Sequence, residues 1–185
     1  MCPVSRANFS TGPTWIGWGV NLANTRFQDT AASGLTAVAV PRLQVKWAFG
    51  FPGDQSANAQ PTIAGGRVFV GSAGGKVYSL SAATGCVHWY FDAGSTVRSA
   101  IAIHHTGDSY TAFFGDARAF VYALDAASGR LLWKTKVDDF PVAGITSSPV
   151  VYNGRLYVGV KSGEEAAGAS PDSIFQSKND PEIEF

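Results

Sequence analysis

The chain has 185 residues, and its 14 Lys plus Arg balance 14 Asp plus Glu, so it carries no formal net charge. Glycine (21 residues) and aromatic residues (12%) are abundant, which is typical of β-rich domains because tight turns use glycine and pleated sheets favour aromatic side chains. Without a basic excess a nucleic-acid partner is not expected, and no apolar run approaches the ~18 residues of a membrane helix.

The N-terminal segment, residues 1–41, shows no clear period, and we expect it to be partly irregular. Its first residues lack the apolar stretch of a signal peptide. Within it, the stretch from Ser33 to Pro41 has the pattern of one or two helical turns, with Ser33 as the cap and Pro41 as the stop.

The two cysteines, Cys2 and Cys86, could form one bridge. Two cysteines in a chain of this size do not make a disulfide framework, so we favour two unpaired thiols. The sequence has no Cys-x-x-Cys-His motif for haem attachment and no Cys/His cluster with zinc spacing.

An internal repeat dominates residues 42–165. The eight residues from Tyr78 followed by Trp89 recur 44 positions later, from Tyr122 followed by Trp133. An earlier Trp47 lies 42 residues before Trp89 and ends a preceding unit. Such a fixed period is the signature of a repeat architecture.

A second pattern agrees with this period, because Pro61–Gly71 recurs 88 residues later as Pro149–Gly159. Each unit is predicted to hold four short strands, which in the first unit are the run after Pro61, Arg67–Ser72, Lys76–Leu80 and Cys86–Phe91. Four strands in ~40–45 residues is the spacing of a β-propeller blade. The alternative is a plain β-sandwich.

The sequence therefore predicts an all-β fold, an incomplete β-propeller of four-stranded antiparallel blades with about three of an expected seven or eight. Blade faces without neighbours are apolar, so self-association through exposed faces is expected. Residues 166–185 are rich in Ser, Asp, Pro and Glu and break the repeat, which predicts a disordered tail.

Two charged stretches interrupt the middle unit. His104 and His105 are predicted to lie in a hairpin turn that ends at Asp108, as loop surface rather than as metal ligands. Asp116 and Arg118 are predicted to form a charged hairpin turn, with a structural ion pair as the alternative.

The repeat motif from Tyr122 to Trp133 resembles the blade motif of quinoprotein dehydrogenases, which use pyrroloquinoline quinone. The stretches Trp18–Gln28 and Lys46–Gly53 are similar to the polyvinyl-alcohol dehydrogenase branch of that family. The resemblance implies a propeller with the quinone on its axis beside Ca²⁺, oxidation of a small or polymeric alcohol, and a cytochrome c electron acceptor. It also implies a periplasmic location.

The resemblance further suggests which residues hold the cofactors. Ser162, Gly163, Glu164 and Glu165 stand where the family has a Ser-Gly-x-Glu segment, so Glu165 is expected to bind the metal ion and the other three to contact the quinone. The alternative is a solvated acidic turn.

Two further residues are expected to contact the quinone. Arg98 is predicted to begin an inner strand and face the axis, where a guanidinium suits the quinone's carboxylates. Thr146 matches a family hydroxyl near the quinone. A surface arginine is the alternative for Arg98.

The sequence also departs from the family pattern. It has no Cys-Cys pair, and the Asp that would act as general base lies in a later blade, so no residue is assigned a catalytic role. We therefore expect part of a quinoprotein oxidoreductase that is inactive on its own. A non-catalytic propeller-type scaffold or protein-interaction module is the alternative.

Overall fold

The computed structural model describes residues 1–3, 7–10, 12, 14–106 and 108–163. Helix α1 spans Thr30–Ser33, and a 3₁₀ helix spans Val40–Arg42. Ten strands follow: β1 (Thr62–Ala64), β2 (Arg67–Gly71), β3 (Lys76–Ser81), β4 (Val87–Asp92), β5 (Ala102–Thr106), β6 (Ser109–Gly115), β7 (Phe120–Asp125), β8 (Leu131–Lys136), β9 (Val150–Tyr152) and β10 (Arg155–Tyr157). In this part of the chain no helix combines the length and the apolar character that crossing a membrane requires.

The strands form two four-stranded antiparallel sheets, in the order β1-β2-β3-β4 and β5-β6-β7-β8, and a third sheet of β9 and β10. The first strands of the three units, β1, β5 and β9, are in contact from one unit to the next. The predicted four-stranded antiparallel units are confirmed. The predicted tail, residues 166–185, lies outside the described residues.

The first two units pack face to face. Phe69 lies fully buried in β2, and its cross-strand neighbours on the same face are Thr62, Ser79 and Trp89. This face meets the opposite face of the second unit, where Phe114 and Tyr122 stack with ring centres 4.8 Å apart. Since an aromatic side chain buries a large apolar area, these rings supply much of the core.

Trp89 locks the two units together at their outer strands. Its indole Nε1–H donates to the carbonyl of Ala126 over 3.1 Å, in the turn between β7 and β8. The ring lies against Gly129, where a Cβ atom would come within 2.6 Å of it. Only glycine allows this approach, so the Gly of one unit and the Trp of the preceding unit are required together.

The same contact occurs one unit upstream. There the indole Nε1–H donates over 3.1 Å to a turn carbonyl, and the ring covers the turn glycine, the three residues being Trp47, Ala82 and Gly85. At the third position, Trp133 contacts Phe113 but remains 42% exposed. The repeated tryptophan is thus a docking group between units.

The N-terminal segment crosses the first sheet from its outer to its inner strand. Cys2 is disulfide-bonded to Cys86 next to β4, Phe9 lies in the core between the units, and Trp15 pairs with Ile63 of β1. The expectation of two unpaired thiols is therefore wrong. The backbone N–H of Cys2 donates to the carbonyl of Val87, and this pairing brings together two cysteines that are 84 residues apart.

The helix prediction for 33–41 is also wrong. Helix α1 ends at Ser33, and its N-cap is Asp29, whose carboxylate accepts the N–H of Ala32 over 2.8 Å. Pro41 lies inside the 3₁₀ helix instead of ending a helix, because its fixed φ suits a first turn.

The turn predicted at 104–108 is shorter than expected. His104 and His105 belong to β5 and pair with Thr111 and Tyr110 of β6. The ring of His105 contacts that of Tyr110, with centres 4.8 Å apart. The ladder continues to Thr106 because β6 is long enough to pair with the whole of β5.

We expect Trp89→Ala to destabilise the chain by about 3–5 kcal/mol, because it removes a buried indole and leaves a cavity between the units. The matched control is Trp133→Ala, which removes a half-exposed indole and should cost about 1 kcal/mol or less. Urea unfolding followed by circular dichroism measures both. Equal losses of unfolding free energy in the two variants would contradict the docking role of Trp89.

Reduction of the Cys2–Cys86 bridge should destabilise the chain by about 4 kcal/mol, because the bridge closes a long loop in the unfolded chain. The measurement is urea unfolding with and without dithiothreitol. The double variant Cys2→Ser/Cys86→Ser should be insensitive to the reductant. A midpoint for the native chain that dithiothreitol does not move would contradict a closed bridge.

Candidate functional site

One end of the units carries a hydrogen-bonded shelf, which we call the ledge and define as residues 96–98, 116–118, 144–146 and 161–163. Three backbone hydrogen bonds join its segments. The N–H of Ala117 donates to the carbonyl of Thr96 (2.9 Å), and the N–H of Ile145 donates to the carbonyl of Asp116 (2.8 Å). The N–H of Lys161 donates to the carbonyl of Gly144 (2.8 Å). The first and third bonds are equivalent in successive units, so the ledge repeats as the sheets do.

Arg98 and Thr146 occupy equivalent positions on the ledge. Each follows a buried aliphatic residue, Val97 or Ile145, that is 1% exposed and whose N–H is bonded to the preceding unit. Both Arg98 and Thr146 are exposed. Two residues further on, the N–H of Ala100 donates to the hydroxyl of Ser148 over 2.9 Å. The backbone therefore presents Arg98 and Thr146 at equivalent positions of neighbouring units.

Arg98 does not begin a strand. Strand β5 starts at Ala102, so Arg98 lies in the connection before it. Ser162 is exposed and follows Lys161, whose pairing with Gly144 holds it on the ledge near Thr146. Gly163 is half-buried beside Val142. Two of the predicted site residues, Glu164 and Glu165, lie outside the described residues.

The hairpin turn predicted at Asp116 and Arg118 is confirmed, since it joins β6 to β7, but the carboxylate of Asp116 is buried within it. Asp116 is 1% exposed and accepts the backbone N–H groups of Arg118 (2.9 Å) and Phe120 (3.0 Å) and the hydroxyl of Tyr122 (2.8 Å). Arg118 is exposed and reaches Asp116 through its backbone. These three donors satisfy a charge that burial would otherwise destabilise.

The hydroxyl of Tyr122, which donates to Asp116, stays in its protonated form. Burial raises the pKa of Tyr122 well above its ordinary value, and the hydrogen bond to Asp116 raises it further. Both effects disfavour a second negative charge beside the carboxylate. The Asp116 carbonyl bonds to Ile145, the residue before Thr146, so this buried pair supports the exposed hydroxyl on the ledge.

The exposed charge of the ledge is positive. Arg98, Arg118 and Lys161 are exposed, and the one acidic side chain in the defined segments, that of Asp116, is buried. Three cations with the hydroxyls of Thr146 and Ser162 suit a ligand that carries several carboxylates. Within the described ranges no three His, Cys, Asp or Glu side chains form a group that could hold a metal ion.

A cavity of about 670 Å³ adjoins the ledge. Its walls are residues 16–22 with Asn24 on one side, 102–104 of β5 on another, and 146–151, which include Thr146 and the start of β9. Sequence reasoning missed this cavity because the segment that forms its outer wall has no period. It also missed Lys161, and it assigned Arg118 to a charged turn and not to the site, although the 44-residue period places Arg118 at the position of Ser162.

The family model described as outer membrane protein assembly factor BamB, a PQQ-type repeat family, matches residues 16–169. A polyvinylalcohol dehydrogenase from Pseudomonas sp is 45% identical over 163 residues, which cover 86% of this chain and 25% of that protein. Another, from Sphingopyxis sp. (strain 113P3), is 38% identical over 182 residues, 91% and 27% of the two chains.

Solved structures agree on the fold. A europium-containing methanol dehydrogenase superposes with a TM-score of 0.67 at 24% identity, over 82% of this chain and 28% of its own. The quinohemoprotein alcohol dehydrogenase from Comamonas testosteroni gives 0.65 at 21% identity, over 85% and 24%. These are β-propellers, so the predicted fold class is confirmed. The chain spans about a quarter of the length of the relatives it matches.

Tyr122→Phe should destabilise the chain by about 1–3 kcal/mol at neutral pH, because Asp116 loses a donor while it stays buried. The raised pKa of Tyr122 means that the native chain loses stability as the pH rises above ~10, where the unfolded tyrosine ionises. The variant should lose less over that range. Urea unfolding from neutral to strongly alkaline pH measures both effects.

The matched control is Tyr78→Phe, because Tyr78 is the equivalent tyrosine and has Ser72 at the position of Asp116. It should cost less at neutral pH than Tyr122→Phe. If the two variants were equally stable at neutral pH, the carboxylate contact would have no energetic role.

Proposed function

The chain belongs to the quinoprotein-dehydrogenase-like β-propeller family, and from this membership we propose that it is part of an oxidoreductase that oxidises alcohols with pyrroloquinoline quinone. The observation that supports this most directly is the ledge. It presents Arg98 and Thr146 at equivalent positions of successive units, with Arg118, Lys161 and Ser162 on the same shelf.

The donors of the ledge fit the quinone. The quinone carries three carboxylates, and the ledge offers two guanidinium groups, one ammonium group and the two exposed hydroxyls of Thr146 and Ser162, without an exposed acid in its defined segments. A guanidinium binds a carboxylate with two parallel hydrogen bonds. When bound, the quinone supplies the chemistry by accepting two electrons from the alcohol.

The chain's own part is to bind and orient. Arg98 would pair with a carboxylate of the quinone, and the Thr146 and Ser162 hydroxyls would donate to its oxygens. The buried Asp116 keeps this part of the ledge in place through its carbonyl bond to Ile145. Ca²⁺ is proposed to bind Glu165, since hard cations prefer carboxylate oxygens, and Gly163 and Glu164 are proposed to lie against the quinone.

The substrate class, location and electron acceptor are proposed from the relatives. Two relatives are named polyvinylalcohol dehydrogenase and one is a quinohemoprotein, which supports an alcohol polymer as substrate and a cytochrome c acceptor. The Cys2–Cys86 disulfide supports a periplasmic site of action, because such bonds persist in oxidising compartments. We assign the N-terminal segment to 1–41, the blades to 42–165 and a tail to 166–185.

A non-catalytic scaffold is the second candidate. The description of the matched family names an assembly factor, and the third unit exposes Val150, Tyr152 and Tyr157 to between 43% and 53%. A scaffold function requires no cofactor. Quinone binding therefore separates the two candidates.

We expect the chain to bind pyrroloquinoline quinone in the presence of Ca²⁺, and Arg98→Ala to weaken binding by about tenfold or more, because a charge-assisted pair is lost. Titration followed by the quinone's absorbance measures the affinity, and chelation of Ca²⁺ or Glu165→Ala should lower it. The control is Arg130→Ala, an exposed arginine away from the ledge. No binding at high micromolar quinone, or equal effects of the two arginine variants, would contradict the assignment.

A further inference from the structure

We propose that the cavity beside the ledge binds a neutral, hydroxylated hydrocarbon chain, in the form of a few units of a vinyl-alcohol polymer. The proposal rests on the proposed function, since it names the place where a polymeric substrate is held. It concerns residues that no part of the quinone site requires, apart from Thr146.

The position of the cavity links it to the ledge. Thr146 belongs to the ledge and also lines the cavity, and Ser147 and Ser148 continue the wall from there into β9. A chain held in the cavity would therefore lie next to the surface that is proposed to hold the quinone.

The chemistry of the walls selects the ligand. The residues that line the cavity include no Lys, Arg, Asp or Glu. Most of the surface is aliphatic or aromatic, from Ile16, Trp18, Leu22, Ile103 and Val150, which suits the CH₂ groups of a carbon backbone.

Polar groups interrupt this apolar surface. The amides of Asn21 and Asn24 and the hydroxyls of Thr146, Ser147 and Ser148 are neutral groups that can donate or accept a hydrogen bond. A backbone of alternating CH₂ and CHOH groups presents both kinds of surface. No Lys, Arg, Asp or Glu of the lining can pair with a charged ligand, and the imidazole of His104, which also lines the cavity, can donate or accept a hydrogen bond.

The size and openness of the cavity fit a polymer. Its volume of about 670 Å³ lies within the ordinary range of ligand pockets. Its outer wall is open to solvent, because Trp18 is 45% and Leu22 64% exposed. A long chain can therefore lie across the site without threading into a closed hole.

The outer wall is held by specific contacts. Trp15 and Ile63 exchange two backbone hydrogen bonds of 2.7 and 2.9 Å, and the side-chain amide of Gln60 donates to the carbonyls of Gly17 and Trp18. The guanidinium of Arg26 lies 4.8 Å from the centre of the Trp18 ring, which fixes the indole. The wall is thus preorganised, which lowers the entropic cost of binding.

The backbone of this wall is also strained. Val20 has φ of 74°, Asn24 of 53° and Arg26 of 50°, and for a β-branched residue such as Val20 this is a rare conformation. Gly19 accommodates the resulting tight loop, because a Cβ there would come within 2.6 Å of the Asn24 backbone. Strained residues of this kind concentrate at ligand clamps.

The test is calorimetric titration of the chain with a short polyvinyl alcohol in the absence of quinone. Polyacrylate of the same length is the matched ligand, because it has the same carbon backbone with carboxylates in place of hydroxyls. We expect saturable binding of the alcohol polymer and none of polyacrylate.

Trp18→Ala and Leu22→Asp should each weaken binding of the alcohol polymer by about tenfold or more. Leu22 is largely exposed, so its substitution leaves the fold intact and keeps the test valid if Trp18→Ala unfolds. Trp133→Ala, which removes an exposed indole outside the cavity, should change the affinity by less than about twofold.

Three results would overturn the proposal: no saturable binding of the alcohol polymer, equal binding of polyacrylate, or unchanged affinity in both cavity variants. The quinone titration is independent of this measurement. Polymer binding without quinone binding would support the cavity site and contradict the oxidoreductase function. Quinone binding without polymer binding would support the oxidoreductase function and contradict the cavity site.

Discussion

The contact on which this structure depends is the tryptophan of one unit docked on the turn of the next. The indole of Trp89 both donates to Ala126 and covers Gly129, so it fixes the spacing and the rotation between two sheets at once. Trp47 docks on the turn of the first unit in the same way, at Ala82 and Gly85. The ledge bond from Ile145 to Asp116 joins successive units, so it forms only when this spacing is kept.

The spacing between the units brings the ledge together as a surface with positive exposed charge. A buried carboxylate, Asp116, takes three donors and leaves the cations to face solvent. Its own carbonyl accepts the N–H of Ile145, so a buried residue positions the exposed Thr146. The proposed anionic cofactor on the ledge and the proposed neutral polymer in the adjoining cavity would then be separated by electrostatics, although Thr146 borders both.

Periodic features of the chain could be predicted from sequence, and non-periodic ones could not. The 44-residue period located the strands around Trp89 and Trp133 and the first-unit turns. It could not find the Cys2–Cys86 bond, because the N-terminal segment has no period and the pairing spans 84 residues. The turn at Asp116 could be predicted, but the burial of its carboxylate could not, because only the fold shows the three donors around it. The extension of β5 through His104 and His105 could not be predicted, because the length of a hairpin ladder depends on its partner strand.

A crystal structure of the chain with pyrroloquinoline quinone and Ca²⁺ would show directly whether the ledge holds the quinone. We expect quinone density with a carboxylate in hydrogen-bond contact with Arg98 and an oxygen in contact with Thr146 or Ser162. Quinone density elsewhere on the chain, with Arg98 free in solvent, would contradict it.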